Sequence, residues 1–314
     1  MRKTTYIIIA TILVVLIVAA AFTGIYLSSI KTSSSTSTSS SGVIHVVAAE
    51  NFWGSLVSQL GGTHVSVLSI VTNPNADPHE YESNPTDAKA IANAQFVIVN
   101  GAGYDTWALL LIAASNTPHQ VVLNVQELLN QTVGANPHFW YSPYYVNDTV
   151  AAMYQDLCSI DPSATSYFTQ QYTALKASLG VYNSRIDEIK KDFGGVKVAS
   201  TESIFVYLAN ATGLDLVSPP AFMQAVSEGN DPSAQSIVQF DQLLQSRSVK
   251  MLIYNSQTVT PLTQTIEALA KQQNITVVAI TETVQPPTAL FQDWMNLELT
   301  AIQNALTNST AQGT

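Results

Sequence analysis

The sequence has a single cysteine in 314 residues, Cys158, which excludes an intrachain disulfide, a thiolate metal cluster and a CxxC redox pair. Cys158 falls in a helical pattern with Val150, Met153, Tyr154 and Leu157 and reads as a small buried hydrophobe. Charge is scarce as well. Only 11% of residues are charged, and Ser, Thr, Asn and Gln make up the polar balance. Basic residues number 12 against 22 acidic ones, a formal net charge of -10, and nine bases remain once Arg2, Lys3 and Lys31 are set aside. No basic stripe is left to follow a phosphate backbone, which argues against nucleic acid as a partner. The hydrolytic patterns HExxH and GxSxG are absent. Gly101-Ala102-Gly103 lacks the third glycine of a dinucleotide fingerprint and reads as a simple turn.

What is present is enough for about two domains with a sizeable core, since 46% of residues are apolar. Arg2 and Lys3 precede an uncharged run from Tyr6 to Leu27, and 22 residues at about 1.5 Å each reach roughly 33 Å, the thickness of a bilayer core. Residues 1–30 are therefore expected to form an N-terminal transmembrane anchor or signal segment; a secretory h-region is usually shorter. The leading positive charges keep the N-terminus cytoplasmic and place the remainder at the extracellular face. Lys31 to Gly42, KTSSSTSTSSSG, has nothing apolar to bury and reads as a flexible stalk. Sequons at Asn130, Asn147, Asn210, Asn274 and Asn308 are consistent with an exterior glycoprotein.

The globular part begins at Val43 and alternates β-like and helical patterns. Candidate strands lie at Val43 to Ala49, Val65 to Val71, Phe96 to Val99 and Val121 to Leu123, with helices between them. A long amphipathic helix follows. Phe168, Tyr172, Leu175, Leu179, Tyr182, Ile186, Ile189 and Phe193 form one apolar stripe about 39 Å long, and Gly194-Gly195 stops it. The alternation then resumes at Val196 to Ser200, Leu214 to Val217, Val249 to Tyr254 and Thr276 to Ile280. The expected fold is α/β: two similar lobes with mostly parallel sheets joined by one long rigid helix, preceded by the membrane anchor. The expected division is 43–160 for the first lobe, 161–195 for the linking helix and 196–314 for the second lobe, with the ligand in the cleft between lobes.

Two segments bring imidazole to that cleft. Asp77-Pro78-His79-Glu80-Tyr81-Glu82 surrounds one histidine with carboxylates behind a stiff proline, and Asn136-Pro137-His138-Phe139-Trp140 repeats the Pro-His step. Neutral imidazole beside carboxylates suits a divalent ion of the zinc or manganese type; the plainer reading is two polar loop residues after turn-forming prolines. His119, in Pro118-His119-Gln120, reads as a surface turn. Glu202 and Glu282 each stand just past a β-like run, where a parallel sheet would present them to the cleft. Each alone would also suit a helix N-terminus.

These segments together resemble the four ligand segments of the zinc/manganese solute-binding proteins of ABC transporters, over about residues 43 to 307. The resemblance implies two β/α lobes joined by a rigid helix, with His79, His138, Glu202 and Glu282 holding a Zn2+ or Mn2+ ion as cargo. It also implies a monomer without enzymatic activity that delivers the ion to a membrane permease driven by an ATPase. Two positions depart from the usual pattern: Glu202 stands where many zinc-binding members have histidine, and Glu282 where aspartate is usual. Tyr254-Asn255-Ser256-Gln257 resembles a segment lining the cleft in some relatives, and with Asp77 and Glu80 is a candidate for orienting the ligands through hydrogen bonds. The alternatives are an extracellular metallohydrolase, with Glu80 or Glu50 as general base, and an adhesive surface protein stabilised by its metal.

Overall fold

The computed structural model describes residues 42–311. The apolar run from Tyr6 to Leu27 and the stalk lie outside them; among the described residues no helix is long and apolar enough to cross a membrane.

The first sheet is built from β1 (Ile44–Glu50), β2 (Val65–Val71), β3 (Phe96–Val99) and β4 (Val121–Asn124) in the order β2-β1-β3-β4, every pairing parallel. The sequence of β3, FVIV, is buried at all four positions, as a central parallel strand covered on both faces requires. Helices α1 (Asn51–Gly61), α2 (Pro85–Asn93) and α3 (Thr106–Ser115) make the crossovers. The short α4 (Val125–Leu128) and then α5 (Pro143–Ile160) follow β4.

The long helix is α6 (Thr165–Phe193), 29 residues or about 43 Å. Its stripe faces inward as the periodicity requires: Phe168, Leu175, Leu179, Tyr182, Ile186 and Ile189 are buried. Gly194 and Gly195 end it, and β5 (Lys197–Ser200) opens the second sheet. That sheet takes the order β6-β5-β7-β8, with β6 (Asp215–Leu216), β7 (Met251–Asn255) and β8 (Thr276–Ile280), again all parallel. Between its strands run α7 (Val206–Thr212), α8 (Pro220–Ser227), α9 (Ala234–Gln245) and α10 (Pro261–Gln272), and α11 (Phe291–Ala311) follows β8.

The two sheets therefore share one topology. In each, the chain reverses direction across the sheet between the first and third strands, β1/β3 and β5/β7, and the carboxyl ends beside such a switch form the natural crevice for a ligand.

The expectation of a join through one helix is incomplete. A continuous core runs from Ile44 and Phe52 through the α6 stripe to Met251, Ile253 and Leu306, so α6 is packed from both lobes. The chain after β8 also returns to α1. Asn51 accepts from Val284 N at 3.0 Å, Ser55 Oγ accepts from Phe291 N at 2.9 Å, and Gln59 and Gln292 exchange amide bonds of 2.8 and 3.2 Å. Cys158 is half-buried on the edge of this core rather than inside it.

Candidate metal centre

His79 follows β2, on a turn that the local sequence sets. Asp77 is the N-cap of a short 3-10 turn, Pro78–Glu80, and its Oδ1 accepts from His79 N at 2.9 Å. Pro78 occupies the first position, where its missing N–H costs nothing. The far end of the segment is held by Tyr81, whose hydroxyl donates to Asp87 at 2.8 Å and whose ring packs on Trp107.

His138 is set by the residue before its proline. Asn136 Nδ2 donates to Ser203 O at 2.8 Å, which orients the amide so that Oδ1 faces His138 and accepts from its backbone N at 3.2 Å and from its ring Nδ1 at 2.6 Å. An amide oxygen can only accept, so Nδ1 carries the proton and Nε2 keeps its lone pair, the tautomer a metal needs. Burial, then the electrostatic influence of the neighbouring His79 imidazole, holds the His138 pKa well below the usual histidine range, so the ring is neutral. Behind it Phe52 and Trp140 stack at 3.9 Å between ring centroids, both fully buried. Phe52→Ala is expected to cost about 3–5 kcal/mol of stability, read from urea unfolding of the metal-free protein.

The carboxylates emerge from the second sheet. Glu202 lies two residues past β5, and Glu282 two past β8. Asn255, the last residue of β7 between them, donates through Nδ2 to Glu282 Oε1 at 2.6 Å and also to Glu202 Oε1. Glu282 Oε2 accepts from Tyr104 at 2.6 Å. Tyr104 reaches it because Gly101 turns the chain at φ +76°, where a Cβ would stand 2.4 Å from Asn124 Oδ1 and 2.6 Å from Gln126 Cβ. The turn reading of Gly101-Ala102-Gly103 is correct, and its product is the placement of this tyrosine.

Three of the four expected ligands converge. His79 Nε2 is 3.4 Å and His138 Nε2 3.8 Å from Glu282 Oε2, and one donor atom from each of the three lies within 4.8 Å of the others. Glu202 falls outside that group, joined to it through Asn255. His138, Glu202 and Glu282 are fully buried, and the His79 side chain is 21% exposed. His79 lines a cavity of about 570 Å³ with Tyr104, Pro137, Val206 and Met223, the open side of the site.

His79 Nε2, His138 Nε2 and Glu202 Oε2 are buried without a hydrogen-bond partner. Buried polar atoms are rarely left so, because each forfeits its hydration. The charges reinforce the point. Burial and then Glu282 push Glu202 well above the carboxylate range, and burial and then Glu282 raise Asp77. Like charges packed in a dry site favour protonation, or a divalent cation that neutralises them.

Other candidates lie elsewhere. Glu80 is exposed, and His119 sits on an exposed turn at φ +62°. Glu50 ends β1, buried against Asp105. Tyr104 carried no signal in the sequence, since a Gly-Ala-Gly-Tyr-Asp turn gives no direction for its ring. Asn136 was legible in principle as an Asx residue whose oxygen bonds the backbone two residues on.

A family model described as the zinc-uptake complex component A, periplasmic, matches residues 46–305. The chain belongs to this family. Among curated relatives of the family member, the zinc-binding protein TroA of Treponema pallidum is 24% identical over 201 residues, 60% of this chain and 63% of TroA. The match to the manganese-binding lipoprotein MntA of Halalkalibacterium halodurans spans 59% of that protein, so the chain covers about three-fifths of these two relatives. The manganese ABC transporter substrate-binding lipoprotein PsaA of Streptococcus pneumoniae is 24% identical over 270 residues, 77% of this chain and 81% of PsaA. The fold is also that of solved structures. Periplasmic TroA superposes with a TM-score of 0.72 at 17% identity, and ZnuA with 0.68 at 21%, each covering 84% of this chain and 99% of the other.

Proposed function

We propose that this protein captures a zinc or manganese ion between its lobes and delivers it to an ABC permease, driven by an ATPase, for uptake. The observation that carries the reading is the convergence of His79, His138 and Glu282, whose buried imidazole Nε2 atoms face the Glu282 carboxyl but have no hydrogen-bond partner. Glu202 is the fourth donor in this reading, its free Oε2 buried beside them. Two imidazoles and two carboxylates are borderline to hard donors, which suit both ions; discrimination between them rests on geometry and supply. The relatives named for zinc and for manganese support the same pair of cargoes.

The ion enters through the cavity beside His79, the exposed ligand, and the buried ligands then close its coordination. The protein acts as a monomeric carrier without a catalytic step. Residues 1–30 and the stalk tether the lobes 43–160 and 196–314, with 161–195 as their spine, to the extracellular face, and the sequon-bearing surface is glycosylated there. Membrane fractions of the source cells should retain the intact chain, whereas release of a shortened form into the medium would replace the anchor by a cleaved signal.

Titration of metal-free protein with zinc and manganese against a competing chelator tests the cargo. One tight, exchangeable equivalent is expected. Absence of tight binding, or binding that survives Glu282→Ala unchanged, would overturn the reading.

A further inference from the structure

The segment that carries His79 belongs to the first lobe by sequence, yet its leading half is fastened to the second. Gln257, two residues past β7 and buried, uses its whole amide. Nε2 donates to Ala76 O at 2.9 Å and to Asn73 O at 3.3 Å. Oε1 accepts from Glu282 N at 2.7 Å, Thr283 N at 3.0 Å and Thr283 Oγ1 at 3.2 Å. Its own N donates to Asn255 Oδ1 at 2.9 Å, which places it against the amide that orients Glu202 and Glu282.

Among the described residues, the hydrogen bonds that tie 73–77 to the rest of the fold come from Gln257 and from Thr258, whose contact with Asp77 Oδ2 is long at 3.4 Å. The trailing half is tied to the first lobe, through Tyr81 to Asp87 and Trp107. His79 thus stands between two attachments, one on each lobe. Any separation of the lobes pulls on both.

We infer that Gln257 is a positioning residue that latches the His79 loop to the Glu282 loop across the cleft and so governs how long the cargo is retained. The inference rests on the metal-capture reading above. One side chain binds the backbone that carries Glu282 and the backbone that leads to His79, and therefore fixes the spacing of two donors from different lobes. Breaking it frees His79, the solvent-facing ligand, and the backbone of Glu282, while His138 and Glu202 keep their own supports and the Glu282 carboxyl keeps its bonds from Asn255 and Tyr104. Hydrogen bonds that orient metal ligands from outside the coordination shell are worth about 10- to 100-fold in affinity, and here the loss falls on release.

The test is stopped-flow metal exchange on the full-length protein, wild type beside Gln257→Met, which keeps the length of the side chain and removes both ends of the amide. Zinc is the probe, and amide hydrogen exchange is recorded with and without it. The dissociation rate should rise about 10- to 100-fold with the association rate within about threefold, and exchange should accelerate in 72–82 while β5 to β8 stay protected. Gln257→Glu keeps an acceptor for Glu282 N and Thr283 N and gives up the donor to Ala76, so it should not restore slow release. An unchanged dissociation rate in Gln257→Met would overturn the latch, as would loss of protection throughout the second lobe, the mark of a merely structural role. If the wild type itself binds no zinc, the cargo reading fails instead, and the two failures are distinct.

Discussion

Glu282→Gln should weaken metal binding by more than about a hundredfold, beyond the 10- to 100-fold that loss of an orienting partner costs, and should leave the metal-free protein no less stable. Both halves follow from one position. Glu282 Oε2 is the atom on which His79 Nε2 and His138 Nε2 converge, so its charge is central to the donor set. An amide in its place offers a neutral oxygen to a divalent ion and a competing N–H to Asn255. Before metal arrives, however, Glu282 is a buried acid whose electrostatic influence raises its neighbours Glu202 and Asp77, and removing it relieves them. Glu202→Gln should separate from it: Glu202 lies outside the converged group, so as the more distant fourth donor it should cost less, about 10- to 100-fold. Calorimetric titration gives the affinities and thermal melts of metal-free protein give the stability. Equal losses in the two variants would place Glu202 on a par with Glu282 in the donor set, no loss in Glu202→Gln would remove it from the set, and retention of tight binding by Glu282→Gln would remove the proposed centre.

The parts of this site that sequence made legible are those whose chemistry is local. Asp-Pro-His and Asn-Pro-His steps announce rigid loops with a defined imidazole, and the β-like runs before Glu202 and Glu282 place both at strand ends. β2, β3 and β8 begin and end where the apolar runs do. β6 is shorter than its run, Leu214 to Val217, because it is an edge strand that pairs with β5 at only two positions. Long-range partnerships were not legible. Nothing near Tyr104 indicates a glutamate 178 residues on, and nothing near Gln257 indicates the carbonyls of Asn73 and Ala76. The join of the lobes was underestimated for the same reason: the α6 stripe is periodic and visible, whereas the ties from Asn51, Ser55 and Gln59 to 284–292 are single polar residues without pattern.

Acidification should move stability and metal binding in opposite directions. Glu298 on α11 is fully buried and its pKa is pushed up to about 7 by burial, against hydrogen bonds from Tyr141, Thr281 and Trp294 that favour the anion. Asp105 is raised to about 6 by burial, opposed by the backbone N–H groups of Gly101 and Asn100. A carboxyl whose folded pKa exceeds its unfolded value binds its proton more strongly when folded. Its stabilising share is therefore complete below about pH 4 and is lost as pH rises through 6 to 7, on the order of 3 kcal/mol for each group. Glu50, Asp77 and Glu202 are raised in the same sense by burial. His138 runs the other way, since its lowered pKa loses stability below the usual histidine range, but it is one group against five. Metal-free protein should melt higher at pH 5 than at pH 7.5. With Glu202 as the proposed fourth donor, its raised pKa makes metal compete with a proton there, so the rise in melting temperature caused by zinc should shrink over the same interval. Glu298→Gln, which keeps an acceptor for Thr281 N and has nothing to titrate, should make the metal-free profile less steep by its one share and leave the zinc-dependent one in place. A metal-free protein that weakens steadily from pH 7.5 to 5 would mean that His138 outweighs the buried carboxyls.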